Sequence, residues 1–241
     1  MFSRPSMCKP GVAFLLWGAT IPYAAADSFL GVDAGTQRGA FGTTVTTTLS
    51  AMTFSAGWIG ADADASISLP VLHMEDDAGA SESGLGDVIL RAGKSGVWRG
   101  QHGMAVDLSA SIKLPTADEN KNLGSGEVDY GGFVTLRSSG EKFMASITFG
   151  YIVIGEPPAT DYDNITTVGG SLSTHWSQGG AYLSLDHRSA STSGADEPQE
   201  VGVGGYYVIN ARHAVLANAF VGMSDGSADQ GWGVGWLRRF Y

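Results

Sequence analysis

Residues 104–114 read MAVDLSASIKL, and the order of these residues says more than their composition. Met104, Val106, Leu108, Ala110, Ile112 and Leu114 alternate with Ala105, Asp107, Ser109, Ser111 and Lys113. A period of two puts one apolar face against one polar face, the pattern of a β-strand with an apolar medium on one side only. The same alternation runs through Phe143, Ala145, Ile147, Phe149, Tyr151 and Val153, and through Val201, Val203, Gly205, Tyr207 and Ile209. Helical periodicity is absent.

Outward from this stretch, the chain divides into twelve such segments, near 28–36, 42–56, 63–73, 84–94, 103–115, 126–138, 142–154, 164–176, 180–191, 200–210, 213–224 and 231–241. Their connections alternate in length. Short turns fall at 139–141, 177–179 and 211–212; longer, acidic loops fall at 74–83, 116–125, 155–163 and 192–199. Short periplasmic turns and long outer loops are the asymmetry of bacterial transmembrane barrels, and an even strand number leaves both termini on the periplasmic side. The predicted fold is therefore all-β: a transmembrane, antiparallel, up-and-down β-barrel of about twelve strands in the bacterial outer membrane.

Composition agrees. A length of 241 residues suits one domain, and charge is light at 16%. Outside the N-terminus no apolar run approaches the roughly 20 residues of a membrane-spanning helix. Arg4 and Lys9 followed by the apolar residues 11–23 (GVAFLLWGATIPY) and by Ala24, Ala25 and Ala26 read as an export signal. The expected division is a signal peptide over 1–26 and the barrel over 27–241. Cys8, the single cysteine, leaves with the signal, so no disulfide supports the mature chain. Barrel closure, which pairs every strand edge, takes that role. Mature charge is −12, with 12 basic against 24 acidic residues and no basic cluster, which argues against nucleic acid or anionic lipid as a partner.

Trp58, Trp98, Trp176 and Trp236 all fall near the periplasmic ends of their segments, where barrels carry an aromatic girdle. Outer-membrane lipid and lipopolysaccharide are the expected surroundings. The final segment, 231–241 (GWGVGWLRRFY), resembles the aromatic-ended C-terminal strand by which such barrels meet the barrel-assembly machinery. Trp232, Val234, Trp236 and Phe240 form its better lipid face, which Tyr241 does not continue.

Four segments carry a family resemblance: 84–94 (GLGDVILRAGK), 113–130 (KLPTADENKNLGSGEVDY), 150–158 (GYIVIGEPP) and 221–236 (VGMSDGSADQGWGVGW). Together they resemble the outer-membrane transporter family named for the meta-pathway of phenol degradation, with 113–130 the most specific. The resemblance implies a barrel that moves small solutes, hydrophobic or aromatic ones included. That family is grouped loosely with fatty-acid and toluene channels, from which this chain departs in having no long N-terminal plugging segment.

Alternation assigns the face opposite the lipid. Asp33, Asp87, Arg91, Asp107, Lys113, Asp129, Arg137, Asp186 and Arg188 are the candidate lumen-lining residues, either as a solute filter or as an interior ladder of ion pairs. Hairpin arithmetic brings Lys113 near Asp129 and Arg91 near Asp107. The near balance of signs favours the ladder. The expected function is a channel or porin-like transporter for small solutes. The contrasting readings are a non-conducting structural barrel and an outer-membrane lipid hydrolase built on His175 or His187. His187 faces lipid near the outer rim, and His175 faces inward beside Ser171 and Ser173. No cofactor or metal is expected. Residues 75–77 and 118–119 lack the spacing of a calcium loop, and Gly202-Val203-Gly204 has no helix after it.

Overall fold

A computed structural model describes residues 27–156 and 162–241; the segment 1–26, with its expected signal, lies outside the described residues. The strands are β1 (Asp27–Gly39), β2 (Thr47–Ile59), β3 (Ala63–Asp76), β4 (Ser81–Leu85), β5 (Val88–Arg99), β6 (Met104–Leu114), β7 (Asp129–Ser139), β8 (Phe143–Val153), β9 (Ile165–Trp176), β10 (Gly179–Arg188), β11 (Gln199–Asn210), β12 (His213–Gly222) and β13 (Gln230–Phe240). All pairings are antiparallel, β4 and β5 both lie along β3, β1 pairs with β13, and the sheet closes on itself. Because β4 and β5 pair successively with β3, they are two pieces of one stave, and the barrel has twelve. Closure satisfies every strand edge, which a bilayer demands.

The break between β4 and β5 is a bulge. Val71 pairs with Leu85 and Ser68 with Ile89, so one extra residue enters on the β4–β5 side. Both Gly86 and Asp87 are buried there, and the bulge aims Asp87 at the interior.

Large apolar side chains outside the barrel are exposed: Leu183 and Leu185 at 54% and Val203 at 56% face away from the interior. In water such a surface would be a liability; in hydrocarbon it is the solvated one. The protein is an outer-membrane β-barrel.

Two loop expectations change. Residues 74–83 do not form a loop, because β3 and β4 extend through them as a hairpin closed at 77–80. The Asp76 carboxylate accepts the Ala80 N–H at 2.8 Å, and Gly79 takes the positive φ of 88° that this tight turn needs. Nor does the connection 115–128 stay outside. It turns down into the outer mouth, where Leu123 joins Leu49, Ala51 and Leu72 in the one apolar core cluster among the described residues.

Candidate functional site: the lumen and its inward-folded loop

Strand register fixes which side chains face inward. Pairing of Gly31 with Leu237, Asp33 with Gly235, Asp186 with Glu200 and Lys113 with Asp129 places these residues on one continuous inner face. Asp33, Asp87, Arg91, Asp107, Lys113, Asp129, Arg137, Asp186 and Arg188 all lie on it.

Lys113 is the hub of the charged wall. Its ammonium lies 2.8 Å from Asp129 and 3.4 Å from Asp87, and it donates to Ser125 Oγ at 2.6 Å. All three charged side chains are mostly buried, so both carboxylates depend on this one cation. The same contacts pin the loop. Asp87 Oδ1 accepts from the Ala117 N–H at 3.0 Å, and Thr116 Oγ1 donates to the Gly86 carbonyl at 3.0 Å while accepting from Val88 N–H at 2.9 Å. Glycine at position 124 lets the loop backbone approach the Asp87 carboxylate, which a Cβ there would meet at 2.7 Å. Within the loop, Asp118 caps a single 3-10 turn (Glu119–Lys121), and Lys121 Nζ donates to the Ser83 carbonyl at 3.2 Å.

Arg91 is not the partner of Asp107. It stands opposite Ser111, because β5 runs on to Arg99 and the turn to β6 lies at 100–103 rather than at 98–99. Asp107 instead receives Arg137 Nε at 2.7 Å and the Gly96 N–H at 2.6 Å.

The inner surface from β7 round to β2 is built otherwise away from these charges. Inward aromatic rings lie flat over cross-strand glycines. A Cβ on Gly204 would overlap the Tyr182 ring, on Gly231 the Phe220 ring, and on Gly150 the Phe133 ring. A Cβ on Gly180 would stand 2.6 Å from Tyr206, and one on Gly57 2.6 Å from Phe29. Asp186 seats on Gly169 and Asp33 on Gly235 in the same way. Glycine in a strand marks such close approach, and here it lets bulky groups fold against the wall instead of crossing the lumen. Between these seats runs a strip of hydroxyls, with Thr135 bonded to Thr148 and Ser146 to Ser171, each at 2.8 Å. Sequence reasoning did not single out Phe29, Phe133, Tyr182, Tyr206, Phe220 or Glu200. Each holds an inward parity position, and the signal that would have found the rings is an inward glycine opposite an inward aromatic.

Trp58, Trp98, Trp176 and Trp236 are exposed on the outer surface toward the short-turn end. His187 faces outward with Nε2 at 3.5 Å from Glu197. His175 points inward with Ser171 and Ser173, and among the described residues no carboxylate pairs with it.

Solved structures share this architecture. An outer-membrane channel from Pseudomonas putida F1 superposes with a TM-score of 0.74 at 13% identity, over 91% of this chain and 97% of that one. The KdgM porin superposes with a TM-score of 0.58 at 8% identity, over 88% and 99%, and the same porin with disordered oligogalacturonate gives 0.52. At such identities the likeness is one of fold. A search of curated protein sequences finds no match. The family profile described as "Putative MetA-pathway of phenol degradation" matches residues 17–238, nearly the whole length, and the chain belongs to that family.

Proposed function

We propose that this barrel is a passive outer-membrane channel for small solutes, with a preference for those carrying an apolar or aromatic body. One observation carries the reading: five inward rings, those of Phe29, Phe133, Tyr182, Tyr206 and Phe220, each lie against a cross-strand glycine whose missing Cβ leaves room for them at the wall. An aromatic ring on the lumen wall stacks with a planar solute, and the hydroxyl strip between the rings offers weak polar contacts without trapping it. Passage requires binding strong enough to enter and weak enough to leave. The inward loop 115–128 narrows the outer mouth and makes the Lys113 network the filter rather than the barrel diameter. Asp33, Asp87, Arg91, Asp107, Asp129, Arg137, Asp186 and Arg188 complete the lumen charge; Asp87 and Asp129 pair with Lys113, and Asp107 pairs with Arg137.

The test is reconstitution. Purified protein in planar bilayers is expected to give discrete conductance steps, and a barrel with none would overturn the channel. In vesicle swelling, a single-ring aromatic diol is expected to enter faster than a pentose of similar mass. A pentose that enters equally fast or faster would leave the channel standing and remove its preference.

A further inference from the structure

We propose that the lipid-facing patch around Arg238 binds the phosphodiester headgroup of an anionic phospholipid in the periplasmic leaflet. The inference rests on the membrane placement of the barrel and not on whether it conducts.

β13 carries Trp236, Arg238 and Phe240 on its outer face. Arg238 has His213 of β12 as its cross-strand neighbour on one side and Leu30 of β1 on the other. Its guanidinium lies 5.0 Å from the centroid of the Phe240 ring, and the His213 ring stacks on Trp236 at 5.4 Å with an interplanar angle of 22°. Arg212 is exposed in the adjoining turn, where its carbonyl accepts the Arg239 N–H at 2.8 Å. Two guanidinium groups and three rings therefore share one corner of the barrel, beside the seam where the first and last strands close it.

Partnering sets this corner apart. Lys94, an outward cation at the same end, is held by the Asp62 carboxylate. Among the described residues no carboxylate forms an ion pair with Arg238. A guanidinium at the boundary of hydrocarbon and headgroups, with its flank on an aromatic ring, keeps its planar fork free for an acceptor, and the acceptor at that depth is phosphate. Anionic lipid adds long-range attraction to the paired arginines. Above the headgroup, Leu30 and Val32 of β1 stand beside Trp236 of β13, an apolar track for an acyl chain.

The experiment is native mass spectrometry of the intact barrel in detergent, titrated with phosphatidylglycerol or with phosphatidylcholine of the same acyl chains. Wild type is expected to retain phosphatidylglycerol about fivefold better than phosphatidylcholine. R238Q should remove that preference, R212Q should weaken it, and R99Q should leave it intact. Heat-modifiable gel mobility checks that each variant is folded. Should R238Q not fold, R238K carries the test, because it keeps the charge and loses the fork; its preference must then fall below wild type. The proposal is overturned if wild type shows no preference, if the Arg238 variant keeps it, or if millimolar inorganic phosphate displaces the lipid, which would make the corner a simple anion site.

Discussion

The wall formed by β4–β7 and the wall running from β8 round to β1 obey the same alternation, yet they treat the lumen in opposite ways. On the first, Asp87, Lys113, Asp129, Asp107 and Arg137 reach toward one another and draw the loop 115–128 down among them. On the second, Tyr182, Tyr206 and Phe220 lie back against Gly204, Gly180 and Gly231. Period-two patterning decides only which way a side chain points. What lies across the strand decides whether it fills the lumen or lines it. An opposite charge pulls it across; a glycine lets it lie down.

The sharpest break in this contrast is Lys113→Ala. It leaves two mostly buried carboxylates facing each other and releases the Ser125 contact of the loop, so a loss of about 3 kcal/mol in folding stability is expected. The guanidinium midpoint of the refolded barrel reads the first effect. Single-channel conductance reads the second, and it should rise as the loop leaves the mouth. Unchanged conductance in a destabilised variant would mean that the loop is held by Leu123 and its apolar neighbours instead of by charge. Arg137→Met should cost less, about 2 kcal/mol, because it strips the cation from one carboxylate where Lys113→Ala strips it from two. A larger loss than that of Lys113→Ala would move the centre of the network to Asp107.

The sequence makes the orientation of side chains legible and leaves their partners partly hidden. Asp186, Arg188 and Asp129 could be placed on the inner face because their strands alternate without interruption. Lys113 could be matched to Asp129 because the two strand ends face each other across a single connection. Arg91 could not be matched, because β5 runs on to Arg99 and turns at 100–103 rather than at 98–99, a register that single-strand alternation does not record. The bulge at Gly86–Asp87 is hidden for the same reason. The inward fold of 115–128 follows from Leu123 finding Leu49 and Leu72, a contact between distant segments that local polarity does not reveal. The resemblance centred on residues 113–130 nevertheless marked the segment that the structure brings to the mouth.

The glycine-seated wall can be broken from its own side. Gly204→Val places a branched side chain where the Tyr182 ring now lies and forces that ring into the lumen. Conductance is expected to fall by about half, with a stability cost of about 2 kcal/mol from the displaced ring and its lost hydrogen bond to Asn218. Adding Tyr182→Ala to the same chain should restore the conductance. Failure of that rescue would show that Gly204 is needed for strand geometry and not as a seat.

The smallest effect belongs to a charge pair that neither wall uses. At the turn between β2 and β3, the Lys94 ammonium hydrogen-bonds the Asp62 carboxyl and holds it below its ordinary range. A lowered carboxyl pKa means that the pair contributes above that ordinary range and that its contribution disappears as pH falls through the lowered value. Because the Asp62 carboxyl is fully exposed, water and salt screen most of the attraction. Asp62→Asn should therefore shift the unfolding midpoint less than any substitution in the lumen, and the shift should vanish in acid or in molar salt. If Asp62→Asn instead costs as much as Arg137→Met, burial is not what gives the interior pairs their weight. The charged wall would then owe its stability to the packed loop, and Lys113 would be an occupant of the mouth rather than its latch.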